Sequence, residues 1–265
     1  MYGGAHGLRI LTYHETGPAV LGQMRSAIAF ARGRLAMATP DDVDAIFEGR
    51  YRGGAEDRLL FTCDDGCDSN FEAATLLADA GLRGIFFIVP SFIGRTWAEC
   101  AAFHAANGVK SRVGRDGTRG LSRSQVAEMI AIGHRIGAHN YGHRDLGKLS
   151  EPKDLQYEID RAIDGVAELT GAPCLDFAIA YGQPENLSDA ARAYLVARSP
   201  RIYACHRGLN VPGRTPRFLL RHDCREDHPE AFTRVCMMGG GDHHLADRAA
   251  VVAARAGLLP GASKP

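Results

Sequence analysis

The sequence predicts an α/β fold, a parallel sheet wrapped by helices and either open or closed into a barrel. Three observations carry that expectation. Short apolar runs alternate with stretches of helical spacing along most of the chain. Some runs, above all Gly84-Ile-Phe-Phe-Ile-Val89, are apolar without a break, as in strands covered on both faces. Unusual polar residues gather just past the carboxyl ends of the runs, which is where such folds build their sites.

The first strand spans residues 8–14, an apolar run that ends in Tyr13 and His14. Pro40, Asp41 and Asp42 open a helix through Phe47, because proline and aspartate both suit a first turn. A second strand at 58–62 runs straight into Cys63-Asp64-Asp65-Gly66. Phe71, Ala74, Leu77 and Ala78 recur at helical spacing over residues 70–80, and Gly81 is a natural stop. Beyond the strand at 84–89, residues 90–120 read as a loop or lid that holds Trp97, His104 and a Gly/Arg/Lys-rich section. Ser122 and Gln125 make a capping box for a helix to about Ile132. Further strands are expected at 133–138, 176–180, 202–205 and 218–220. Further helices are expected at 151–169, 188–197 and 244–256, the last opened by His243-His244, with a frayed tail after Gly257. No linker, repeat or low-complexity tract interrupts this alternation, so residues 1–265 read as one domain.

With 265 residues, 45% of them hydrophobic, the chain can bury a substantial core. Its 31 basic and 31 acidic side chains balance, which argues against an electrostatic grip on nucleic acid or an anionic membrane. No apolar run approaches the roughly 20 residues of a membrane span. The seven cysteines form neither a C-x-x-C pair nor a regular disulfide framework, and no basic-then-apolar leader opens the chain. These features lead us to expect a reducing, cytoplasmic setting. The oligomeric state is not legible from sequence.

The chemistry lies at the strand ends, with Asp64 and Asp65 after one, His139 and His143 after another, and Tyr181 and His222 after two more. Two histidines and a carboxylate recur as ligands of Zn²⁺, Fe²⁺, Co²⁺ or Mn²⁺, leaving positions open for water and substrate. A metal so held polarises a carbonyl and acidifies water, as amide hydrolysis requires. A neighbouring carboxylate can then take the water's proton, and a histidine can protonate the leaving amine. Each pattern alone has a plain reading: Asp-Asp-Gly as a turn and helix cap, the histidines as loop residues, Tyr181 as strand-end packing, His222 as a core histidine. Cys67, four residues after Cys63, is better read as a buried thiol than as a metal thiolate. The two main patterns together, at strand ends in the right alternation, are far more specific.

Phe61-Thr-Cys-Asp-Asp-Gly66 resembles the T-F-D-D-G motif of the NodB-homology polysaccharide deacetylases, carbohydrate esterase family 4. Residues 133–143, Gly-His-Arg-Ile-Gly-Ala-His-Asn-Tyr-Gly-His, resemble its second, His-bearing motif, and Gly84–Pro90 is similar to the strand between the two. Phe177-Ala-Ile-Ala-Tyr-Gly182 resembles the F-A-Y-P-Y-G variant of the third motif. The likeness runs from about Leu8 to Asp223. It implies a distorted (β/α) barrel and an enzyme, a metal-dependent N-deacetylase. By position, Asp64 would be the general base, and Asp65, His139 and His143 the ligands of one divalent metal, Zn first among Zn, Co, Fe, Mn and Ni. Tyr181 would offer a backbone N–H to the oxyanion, and His222, within Leu220-Arg-His222, would be the general acid.

The departures are specific. Cys63 replaces phenylalanine, and Asn140 stands where the second motif has serine or threonine. Ala178 occupies the place of the arginine that orients the base, so Arg221 or Arg217 is expected to do so instead. Ala180 replaces the branch's proline, and Arg207-Gly-Leu-Asn210 matches the fourth motif poorly. Arg221 and His14 are the candidate substrate contacts. The expected partner is a small molecule or oligosaccharide carrying an N-acyl amino sugar. Two rival readings are a same-fold hydrolase of a ureide or cyclic imide, and a catalytically silent carbohydrate-binding relative.

Overall fold

The apolar runs pair side by side, all in the same direction. The computed structural model describes residues 6–106, 119–242 and 246–261. Its strands are β1 (Leu8–Tyr13), β2 (Ala36–Met37), β3 (Arg58–Cys63), β4 (Ile85–Ile88), β5 (Arg135–Ala138), β6 (Asp176–Ala178), β7 (Arg201–Tyr203) and β8 (His222–Asp223). They form one parallel sheet in the order β7-β6-β5-β4-β3-β1-β8, with β2 lying beside the start of β3. Leu219 makes a parallel bridge to Tyr203, while Leu11 pairs with His222. The segment Leu219–Asp223 thus spans from β7 to β1 and curls the sheet into a distorted barrel, as the resemblance implies.

Helices occupy most of the connections: α1 (Pro18–Ala31), α2 (Pro40–Phe47), α3 (Asn70–Asp79), α4 (Trp97–Ala106), α5 (Arg123–Ala131), α6 (Pro152–Leu155), α7 (Arg161–Thr170), α8 (Asp189–Arg198), α9 (Glu230–Met237) and α10 (Ala246–Ala256). A π turn, Gln156–Asp160, joins α6 to α7. The capping boxes at Thr39/Asp42 and Ser122/Gln125 start α2 and α5.

Alternation along the strands separates two cores. Ile10, Leu60, Ile85, Phe87, Ala178, Tyr203 and Leu219 face the barrel interior, where Val43 and Ile46 of α2 join them. The intervening residues, such as Leu11, Phe61, Phe86, Ile88 and Phe177, pack outward among the helices. This two-residue period decides which polar residues past the strand ends look into the barrel mouth.

Several expectations are corrected. Residues 97–106, expected within a loop or lid, form α4, because the Ala-rich stretch Trp97–Ala106 is a good helix former. The following residues, 107–118, and His243-His244 lie outside the described residues. Helices α1 and α9 were not anticipated, although Pro18 is a standard first-turn signal. The tail expected to fray after Gly257 is docked through Leu259, which is buried and exchanges backbone hydrogen bonds with Thr215 and Gly213.

Candidate active site

β1 and β3 pair residue for residue from Leu8↔Arg58 to Tyr13↔Cys63, so His14 and Asp64 emerge level at one rim. Asp64 continues the inward file of Leu60 and Thr62. His139 continues that of Gly137, and His14 that of Ile10 and Thr12. Strict alternation would send Asp65 to the opposite face from Asp64. Asp65 instead has φ +76°, and this left-handed turn brings its carboxylate back over the mouth beside its neighbour's. Asn140, His143 and Tyr181 also have positive φ, at +50°, +55° and +63°. Backbone strain of this kind collects at sites the surrounding structure must hold in place.

Asp65, His139 and His143 are buried, and their ligand atoms lie within 4.8 Å of one another. Asp65 Oδ1 is 3.4 Å from His139 Nε2 and 3.2 Å from His143 Nε2. His139 Nδ1 lies 2.9 Å from the Ala178 carbonyl and donates to it, which leaves Nε2 to face the site, as a lone pair whenever the ring is neutral. That lone pair faces a buried carboxylate oxygen that has no well-formed hydrogen bond among the described residues. Electron-rich atoms converging away from water repel one another unless protons or a metal cation lie between them. The donor set therefore fits a divalent transition metal. Burial works to raise the Asp65 carboxyl, but the contacts from His139 and His143 outweigh it and hold it well below the usual carboxylate range.

Asp64 is not turned toward this donor set in the same way. Its two oxygens accept a bidentate pair of hydrogen bonds from Arg221, 2.7 Å from Nη1 to Oδ1 and 2.8 Å from Nη2 to Oδ2. Arg221 is itself wholly buried inside the barrel; its Nε donates to the Ala204 carbonyl at 2.9 Å and its guanidinium lies over the Phe87 ring. Burial would raise the Asp64 carboxyl, but the charges of Arg221 and His139 and the Arg221 hydrogen bonds prevail and lower it. Asp64 is thus held ionised and oriented.

His14 completes the rim. Its side chain is 39% exposed, and Nδ1 is 3.5 Å from Asp223 Oδ1. Its field reaches both Asp64 and Asp65. Tyr181 presents a partly exposed ring edge-on to His143, with ring centroids 5.0 Å apart.

The family model described as polysaccharide deacetylase matches residues 52–197. The chain belongs to the polysaccharide deacetylase family. Among solved structures it is similar to IcaB from Ammonifex degensii, at 21% identity and TM-score 0.67, covering 89% of this chain and 97% of that one. It is also similar to the Streptococcus pyogenes deacetylase PplD, at 14% identity and TM-score 0.65, covering 88% and 99%. A de-N-acetylase from Aggregatibacter actinomycetemcomitans matches at 14% identity and TM-score 0.66, covering 86% and 99%. At these identities the likenesses establish the fold. No curated protein matches the chain.

Within this polysaccharide deacetylase, Asp64, Asp65, His139, His143, Tyr181 and His14 surround one mouth, and His222 does not join them. His222, the first residue of β8, directly follows Arg221 and so points to the opposite face. It is fully buried, with Nε2 3.2 Å from the Gly208 carbonyl, and burial together with the nearby Arg9 pushes it down to about 3. A histidine that cannot take up a proton near neutral pH, on the far side of its strand, does not fit a general acid. Arg221 is likewise corrected as a substrate contact, because it has no exposed surface and its guanidinium is taken by Asp64. It grips the Asp64 carboxylate instead, while Arg217 is exposed on the surface. Asp223 escaped the sequence reading; the two-residue period from Leu219 through Arg221 would have found it.

Proposed function

We propose that this polysaccharide deacetylase is a metal-dependent hydrolase that removes an N-acyl group, foremost N-acetyl, from an amino sugar in a saccharide substrate. The observation that carries the reading is the convergence of Asp65, His139 and His143 beside an Asp64 locked to Arg221. A divalent metal bound by those three residues would polarise the amide carbonyl and lower the pKa of water; Zn²⁺ is our first choice.

The side chains supply the rest. Asp64, held anionic by Arg221, accepts the proton of the attacking water. The Tyr181 backbone N–H, set by its left-handed turn, donates to the oxygen that gains charge. His14, solvent-accessible and paired with Asp223, delivers a proton to the departing amine. His14 takes the acid role expected of His222, and its earlier reading as a substrate contact becomes this closer one. Asn140 ties the parts together, since its Nδ2 donates to the Arg144 carbonyl and its Oδ1 accepts from Ala180 N–H, just before Tyr181. The seven cysteines are all buried free thiols, which supports a reducing, cytoplasmic setting as part of the same proposal.

The test pairs metal content with turnover on N-acetylated glucosamine oligomers. His139→Ala should lose both, and Asp64→Asn should keep the metal but lose at least a hundredfold in kcat, each remaining folded by circular dichroism. Near wild-type turnover by either variant would refute the assignment.

A further inference from the structure

The loop that carries both histidines leans on a buried carboxylate, that of Glu158. Glu158 lies in the π turn between α6 and α7 and is 0% exposed. The wide turn offsets the helix so that neighbouring residues are both buried: Ile159 joins the outer core, and Glu158 turns toward residues 141–144. Its Oε2 accepts from Gly142 N–H at 3.0 Å and from Arg144 N–H at 3.3 Å, and its backbone carbonyl accepts from Tyr141 N–H at 2.9 Å. Three backbone groups on either side of His143 are thus bound by one residue. They hold a segment whose Asn140 and His143 adopt left-handed conformations that would relax without support. Gly142 leaves room for this contact, because a Cβ there would meet Glu158 Oε1 at 2.7 Å. π turns are rare in helices and recur at functional sites. A buried carboxylate also carries a desolvation cost, which a purely structural helix would avoid with an apolar side chain.

We propose that Glu158 is a positioning residue for the metal centre: it braces the backbone of residues 141–144 and thereby sets the spacing of His139 and His143 and the affinity for metal. The inference rests on the metal-dependent reading above. It places the demand on hydrogen-bond acceptance by Glu158, so the amide oxygen of glutamine should largely replace the carboxylate.

The experiment measures Zn²⁺ affinity of the full chain by competition with a chromophoric chelator, together with the visible spectrum of the Co²⁺ form and the thermal midpoint without metal. Glu158→Ala should bind Zn²⁺ roughly 10- to 100-fold more weakly and alter the Co²⁺ spectrum, and Glu158→Gln should stay within about threefold of wild type, well short of that loss. Should Glu158→Ala not fold, Gly142→Ala reads the same brace from the other side and should weaken Zn²⁺ binding in the same direction. Wild-type affinity and spectrum in folded Glu158→Ala, or in Gly142→Ala if the former does not fold, would overturn the role of Glu158 while leaving the metal site standing. A wild-type protein that binds neither Zn²⁺ nor Co²⁺ would instead overturn the metal reading, and this inference with it.

Discussion

Asp64 and Arg221 form a wholly buried ion pair, and such pairs cost desolvation that a hydrophobic pair would not. Its retention makes sense where one member must be ionised and aimed. Replacing Arg221 by lysine keeps a cation but loses the planar two-point grip. We expect Arg221→Lys to fold, to lose activity, and to move the acid limb of its kcat/KM profile to higher pH. The sign follows from the opposing influences on Asp64: burial raises its pKa and Arg221 lowers it, so a weaker cation lets the pKa rise. An unshifted acid limb would count against Asp64 as the base. The two histidines separate in a similar way. His14→Gln should cut kcat on an N-acetyl sugar by about 10²- to 10⁴-fold, and Asp223→Asn should follow it in part. His222→Gln should act on stability, with kcat of the folded protein within about threefold of wild type, far from a proton-transfer loss.

Strand alternation places these side chains, and one glycine shows how tightly. Gly137 of β5 lies opposite Phe87 of β4 inside the barrel, and an added Cβ would sit 2.6 Å from the Phe87 ring. Phe87 in turn lies under the Arg221 guanidinium, 5.1 Å from its carbon to the ring centroid. Gly137→Ala should therefore cost about 1–3 kcal/mol by overpacking. It should also lower kcat, because the displaced ring pushes on the partner of Asp64. Denaturant unfolding and steady-state kinetics on one preparation would check both parts. Loss of stability with untouched kcat would show that the interior layer does not transmit to the site. The same period explains the error at residue 222: Leu220-Arg-His222 reads as a motif along the chain, but consecutive residues of a strand cannot both face the mouth.

Acid should unfold the whole molecule through histidines outside the site. Burial pushes His206 down to about 4 and His222 to about 3. In the unfolded chain both would titrate near about 6.5. Between those values the unfolded state binds more protons, so the stability is complete above about pH 6.5 and falls as pH drops toward 4. Each histidine contributes at most about 1.4 kcal/mol per pH unit. Neither ring nitrogen of His206 has a hydrogen-bond partner among the described residues. His206→Phe should therefore match wild type or better at pH 7 and exceed it at pH 5. Urea unfolding at pH 7, 6 and 5 measures the slope, and equal slopes for the two proteins would contradict the assignment.

Much of this protein was legible before any coordinates. Uninterrupted apolar runs announced a parallel sheet, because a strand buried on both faces has no polar side to show. Asp-Asp-Gly and the two spaced histidines pointed to a candidate metal site, because that chemistry needs those donors at strand ends. Which neighbours share a space was decided by the tertiary structure. It gave Arg221 to Asp64, turned His222 away, brought Asp223 to His14, and set Glu158 under the histidine loop. These pairings join residues far apart in the chain, and the path that joins them depends on barrel closure and on left-handed turns at Asp65 and His143. Composition and spacing record which groups are present; only the folded backbone fixes the direction each one faces.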